Sequence, residues 1–267
     1  MFNDRIVPAK LKAANTLGLI LVLVVNALAN ILPINGFNTG EISDFYPNLF
    51  TPSGYVFSIW GLIYFFLIVF VVYGYDFFGR KSDKKVVENI GWLFLISCVL
   101  NAAWLVLWHY LYVEYSLVVM ILLLLVLLLI YDKIHSNIFA DPNNKFFVGI
   151  PFSLYTGWIT VATIANVTAL LVHLEWSGFG LSEELWTILI LMVATFIIGT
   201  FVVQKNDIVY GAVYIWTLSG IIYKHQFQFE FAYPGVVVAS YASVAVIFVL
   251  FLLNIRKRKK IKSRFFG

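Results

Sequence analysis

Stretches of about twenty apolar residues recur along this chain, and a stretch of that length leaves little choice of fold. A helix rising 1.5 Å per residue needs roughly 20 residues to cross about 30 Å of hydrocarbon, where every backbone amide must find its partner inside the segment. Eight stretches qualify, at residues 11–32, 54–78, 90–111, 115–131, 146–172, 185–203, 208–223 and 233–255. The seventh is short and carries Ser219 and two glycines, but omitting it would put its neighbours' flanking charges on the wrong sides. Hydrophobic residues make up 61% of the chain and charged residues 12%, against roughly 45–50% and 25% in a soluble domain, so a water-soluble fold is excluded. The expectation is an all-α, polytopic membrane bundle of about eight helices, held in the cell membrane.

Cytoplasmic connections retain Lys and Arg, so counting them orients the chain. With the N-terminus inside, seventeen of the 18 basic residues fall on the inner side: Arg5, Lys10 and Lys12; Arg80, Lys81, Lys84 and Lys85; Lys133 and Lys145; Lys205; and seven after Ile255. Only Lys224 is left outside, where Glu41, Asp44, Glu114, Glu175, Glu183 and Glu184 also fall. Both termini are therefore expected in the cytoplasm. The seven tail cations, Arg256, Lys257, Arg258, Lys259, Lys260, Lys262 and Arg264, give the chain its positive charge. So placed, they read as an orientation anchor that attracts anionic lipid, and not as a nucleic-acid-binding face. No small-residue cleavage site follows the first apolar stretch, which reads as a retained helix. The sole cysteine, Cys98, excludes an intrachain disulfide and thiol-rich metal sites.

Most connections are short and make sequential helices antiparallel neighbours. The exception, residues 33–53, carries Pro33, Pro47, Pro52, Gly36, Gly40, Phe37, Phe45, Tyr46 and Phe50. Connections of that length inside compact folds are commonly functional, and the aromatic content predicts a structured lid over the outer mouth of the bundle.

Polar groups at bilayer depth are expensive and need a partner or a purpose. The candidates are Asn101, Asn166, His109, Thr156, Thr160 and Thr163, while Asp76, Glu114, Asp132, Glu175 and Lys205 lie at helix ends. No charged residue sits at mid-membrane, which argues against proton- or ion-coupled transport and against a lysine-linked retinal. His109 reads as an interfacial histidine bonded to a neighbour. No HExxH, His/Cys cluster or phosphate loop is present, so neither metal nor cofactor is expected. Aromatics, 18% of the chain with eight Trp, are the abundant resource. Trp92 and Trp186 near helix starts read as interfacial. Trp60 and Tyr64 lie four apart on one helix face, and Asn101, Trp104 and Trp108 form a stripe on the next helix. Tyr155, Trp158, Thr163 and Asn166 follow on the fifth, with Gly157 and Ala162 allowing close approach. Such faces describe either a pocket for a flat, apolar ligand or a packed aromatic interface without one.

These residues resemble the TspO/MBR family, the tryptophan-rich sensory proteins that include the mitochondrial translocator protein. The likeness covers about residues 11–174, the five helices that make up the family's length. It rests on Pro52, Trp60 and Tyr64, with Trp eight and Tyr twelve after the proline; on Asn101 with Trp104; and on Trp158 with Asn166 after Pro151 and Phe152. The chain departs from the family where Ser53 follows Pro52 in place of a second proline, where Tyr55 replaces a tryptophan, where Phe57 is shifted by one, and where Pro151 lies three residues further from its tryptophan, so that Tyr155 is an alternative equivalent. The resemblance implies three parts: a five-helix bundle at 1–174, an added three-helix membrane region at 175–255 with no counterpart in the five-helix members, and a basic tail at 256–267. It also implies a receptor-like protein that binds a porphyrin, a related tetrapyrrole or a sterol, with a sensory or transport-associated role and a possible homodimer. The ligand-lining set is Pro52, Tyr55, Trp60, Tyr64, Asn101, Trp104, Trp108, Tyr155, Trp158 and Asn166.

No acid, base or nucleophile constellation points to catalysis; light-dependent porphyrin breakdown through Trp60 and Trp158 is implied by the resemblance alone. The rival reading is a small-solute transporter or channel using all eight helices, which would recruit Asn206, Tyr214, Ser219 and Ser240.

Overall fold

The computed structural model describes residues 7–32, 34–75, 84–135 and 142–266. Arg5, Pro33, Asp76, Arg80 and Lys81, the end of the second apolar stretch, and the side chains of Lys257, Arg258, Lys259, Lys260, Lys262 and Arg264 lie outside the described residues. Among the described residues there is no strand. Eleven α-helical segments follow in order among the described residues: α1 (Ala9–Asn30), α2 (Thr39–Asp44), α3 (Ile59–Tyr73), α4 (Lys85–Ile90), α5 (Leu93–His109), α6 (Val113–His135), α7 (Pro142–Asn144), α8 (Ile150–His173), α9 (Glu183–Gln204), α10 (Ile208–Tyr223) and α11 (Pro234–Phe266).

Six of these, with α3 extended back to Gly54 and α8 to Lys145, are long and apolar enough to span a bilayer, and α5 is a shorter apolar helix. α10 has 16 residues. The lipid-facing character shows on α6, whose Val118, Leu122, Leu125 and Leu129 are exposed; in water such a face would drive aggregation, and in a bilayer it meets its own solvent. The protein is therefore an all-α polytopic membrane bundle.

Local chemistry sets the ends of these helices. α5 begins at Leu93, after the expected start at 90, because Gly91 interrupts the chain at φ 56 and ψ −136, a conformation essentially reserved for glycine. α5 and α6 are joined by three residues with Leu111 at φ 60, and so short a link makes them antiparallel. α8 is entered through a π-helical turn, Lys145–Gly149, and Pro151, which has no N–H to donate, follows directly after that turn.

The chain divides into two compact units: Met1–Tyr46 with Phe57–Leu174, and Pro47–Val56 with Glu175–Gly267. In the first, α1, α3, α8, α6 and α5 each pack on two neighbours and close a ring in that order. In the second, α9, α10 and α11 pack mutually and carry the 47–56 segment, whose Ser53 N–H donates to Gly220 O at 3.2 Å. The connection expected to act as one lid is thus shared: residues 34–46 belong to the first unit and residues 47–53 to the second. Hydropathy is a local signal and carries no information about that pairing.

Candidate functional site

The interior of the five-helix ring is aromatic. Trp60 on α3 is its hub: Tyr64 stacks on it at 5.4 Å and 15°, Trp104 of α5 lies at 6.1 Å, and Tyr155 and Trp158 of α8 meet it edge-on at 6.1 Å. Phe57 closes on Trp158 at 6.0 Å and 83°. Such edge-to-face and offset contacts add about 0.5–1.5 kcal/mol each beyond area burial. They exist because Trp60 and Tyr64 are one turn apart on α3, as Asn101, Trp104 and Trp108 are on α5.

An amide chain crosses the ring beside this hub. Asn26 Nδ2 donates to Val22 O at 2.9 Å and to Asn101 Oδ1 at 3.1 Å, and Asn101 Nδ2 donates to Tyr155 Oη at 3.0 Å. Three helices, α1, α5 and α8, are thereby pinned at fixed register. Asn26 does not figure among the sequence candidates, although an asparagine in the first apolar stretch obeys the same rule as Asn101: a buried amide must be bonded.

Beside this bonded chain stand three polar groups without a protein partner: the Tyr64 hydroxyl and the indole N–H groups of Trp104 and Trp158, all buried. Tyr64 lies beside the amides of Asn26 and Asn101, yet its hydroxyl makes no hydrogen bond with either. A buried unmade bond costs about 1–3 kcal/mol, so three around one hub require an explanation. The Thr156 hydroxyl, also buried and unpartnered, sits on the same helix as Trp158. Thr160 and Thr163, by contrast, bond back to Thr156 O and Ile159 O.

The remaining predicted residues divide. Trp108 extends the hub, stacked on Trp104 at 6.3 Å, and its N–H donates to Thr39 O at 3.3 Å. Asn166 is not brought to the hub; it accepts from Ser116 Oγ at 3.3 Å where α8 meets α6. Pro52 and Tyr55 belong to the second unit. There Tyr55 packs edge-on to Trp216 at 5.3 Å and its hydroxyl pairs with Ser219 Oγ at 3.0 Å, while Pro52 lies against Gly220.

His109, fully buried at 0% exposure, holds the 34–46 stretch. Ile34 O can only accept, so Nδ1–H donates to it at 3.1 Å, leaving Nε2 to pair with Thr39 Oγ1 at 3.1 Å. Asn35 Nδ2 donates in turn to His109 O at 3.1 Å. α2 is fixed by a capping box in which the Asn38 side chain accepts from Gly40 and Glu41 N–H while Glu41 returns to Asn38 N–H, satisfying amides that a short helix leaves bare. Tyr46 ends this stretch between Trp108 at 5.7 Å and His173 at 6.0 Å, and His173 reaches Glu114 at 3.3 Å. Burial, aided by the Glu114 charge, pushes the Tyr46 phenol above its ordinary value.

The polar groups of the last three helices are mostly bonded within the second unit. Tyr214 Oη donates to Leu191 O at 3.1 Å and lies 3.1 Å from Thr195 Oγ1, which donates to Ser243 Oγ at 2.9 Å; Ser219 Oγ donates to Trp216 O at 2.6 Å. An open apolar groove of about 640 Å³ runs along α9 and α11 beside Thr195 and Ser243. Among the described residues, no group of three or more His, Cys, Asp or Glu side chains could hold a metal ion.

No curated protein and no solved structure matches the chain. A family model described as TSPO-like protein matches residues 12–253, a span that takes in the three last helices left uncovered by the likeness to five-helix proteins. The chain belongs to the family of TSPO-like proteins.

Proposed function

We propose that the protein is a membrane receptor for a flat, hydrophobic ligand held in the aromatic interior of the five-helix ring, in a sensory or transport-associated role. The observation that carries this reading is the set of unpartnered donors, Tyr64 Oη–H, Trp104 Nε1–H and Trp158 Nε1–H, around the face of Trp60. Aromatic walls favour a flat π-system, and donors without a protein acceptor suit a ligand that brings acceptor oxygens. A porphyrin with its carboxyl groups has both features; a sterol hydroxyl offers a single acceptor. Asn101 and Tyr155, bonded to each other at 3.0 Å, set the spacing of the walls. The family membership supports the reading, as does the neutral character of the cluster, which contains no charged side chain.

Titration of purified protein in detergent with protoporphyrin IX, read by tryptophan fluorescence quenching, tests it. Saturable binding in the wild type, lost in a Trp60→Phe, Asn101→Ala, Trp158→Phe variant that remains folded by circular dichroism, is the expected result. Equal, non-saturating partition into both would overturn it. The distribution of Lys and Arg supports cytoplasmic termini in a cell membrane, and this arrangement forms part of the same reading.

A further inference from the structure

We propose that His225 is an acid-released latch that holds the 47–56 segment onto the last three helices. The residue sits in the π-helical turn Lys224–Gln228 that follows α10 and is fully buried, at 0% exposure. Leu49 O is 2.9 Å from Nε2. A carbonyl only accepts, so Nε2 carries the proton and Nδ1 bears the lone pair of a neutral ring. Nδ1 is buried with no partner, and the imidazole ring lies edge-on to Phe229 at 5.2 Å and to Tyr233 at 5.9 Å. The docked state therefore has a place for neutral histidine and none for the second N–H that protonation would add.

The charged groups that reach the ring are Lys224 beside it, which opposes protonation, and Glu184 at the start of α9, which favours it. Glu184 is engaged elsewhere, since its Oε1 accepts Gly235 N–H at 2.6 Å at the head of α11. The docked segment itself brings only Tyr55. Its other attachments are Ser53 N–H to Gly220 O at 3.2 Å, Trp216 Nε1–H to Val56 O at 3.0 Å, Gln228 Nε2–H to Ser53 Oγ at 3.4 Å and Tyr55 to Ser219 at 3.0 Å. These attachments are made by backbone amides, an indole, a side-chain amide and hydroxyls, and the imidazole of His225 is the group through which acid acts on the segment.

The sign follows from linkage. Burial, the largest cause, holds the docked ring's pKa below the ordinary histidine value, about 6.5 when the ring is in water. Docking is then fully favoured above about pH 6.5 and weakens as pH falls toward the docked value, by at most about tenfold per pH unit for one proton. The far end of the segment leads directly to Phe57, the ring partner of Trp158, which gives release a covalent route to the aromatic cluster. The latch itself requires no ligand.

Hydrogen–deuterium exchange of the full-length protein in nanodiscs, at pH values from 7.5 to 5.0 and corrected for intrinsic rates, tests it. Peptides covering 47–56 should lose protection below about pH 6.5 with up to about a tenfold slope per unit, while those of α5 and α8 hold. His225→Gln, which keeps a donor for Leu49 O but cannot titrate, should flatten the profile; Trp216→Phe should raise exchange at every pH and keep the acid step. A flat wild-type profile, or an acid step that survives in His225→Gln, overturns the latch. Should His225→Gln misfold, ring ¹⁵N spectra of wild-type histidines decide: a His225 that is neutral with Nε2–H at pH 7.5 and titrates below 6.5 supports the latch, and one that titrates at or above 6.5 overturns it.

Discussion

Two kinds of polar side chain meet in the ring interior and behave oppositely. Asn26, Asn101 and Tyr155 are bonded end to end, so removing one strands the others. Asn101→Ala should lower stability by about 1–3 kcal/mol and Tyr155→Phe by less, since it leaves one Asn101 proton unmet; chemical unfolding in mixed micelles measures both. Tyr64, Trp104 and Trp158 carry donors that the protein does not use. Tyr64→Phe removes only such a group, so it should leave the unliganded protein as stable or more stable while weakening ligand binding several-fold. A loss of stability by thermal unfolding would show that the hydroxyl is already bonded within the fold. At this scale the sequence is informative where residues share a helix face, because the 3.6-residue repeat is local: Trp60 with Tyr64 and Trp104 with Trp108 are legible as stripes. That Asn26 would complete the amide chain is not, since it depends on which helices become neighbours.

Among the elements, the connection from α1 to α3 is the most divided. Its first part is clamped by His109 through Ile34 and Thr39, so His109→Ala strips Ile34 O of its donor and empties a buried site, and should cost about 1–3 kcal/mol, with earlier proteolysis between residues 34 and 46. Its second part lies against Gly220, where an added Cβ would collide with Val56 and come within 3.0 Å of Pro52 Cβ. Gly220→Ala should therefore displace the segment at a cost of about 1–3 kcal/mol, as overpacking does, and raise amide exchange at Ser53. The sequence shows a long, aromatic connection between two spans. It does not show that Tyr55, placed by the resemblance in one lining set with Trp60 and Tyr64, packs against Trp216 and Ser219, because that choice is made by a helix more than 150 residues away. Helix ends follow the same rule: Gly91 stops α4 through a backbone conformation that an apolar count cannot register.

For the whole molecule, hydropathy alone reaches the class of fold, since a chain that exposes Leu, Val and Phe along its helices has only the bilayer as a compatible solvent. Orientation rests on the Lys and Arg distribution, so fusions of a cytoplasmic reporter should be active at both termini and inactive after Trp176. The division into two units, by contrast, arises from long-range packing that no window of sequence contains. The account turns on whether the free donors of the ring interior are there for a ligand. Replacing Trp158 with benzothienylalanine, which keeps both rings and exchanges the N–H for sulfur, isolates that point, and protoporphyrin IX titration of the two proteins is the direct measurement. The account predicts affinity lower by about tenfold, the worth of one buried hydrogen bond, with thermal stability of the unliganded protein unchanged. Equal affinity in the two proteins, or a variant destabilised before any ligand is added, would contradict it.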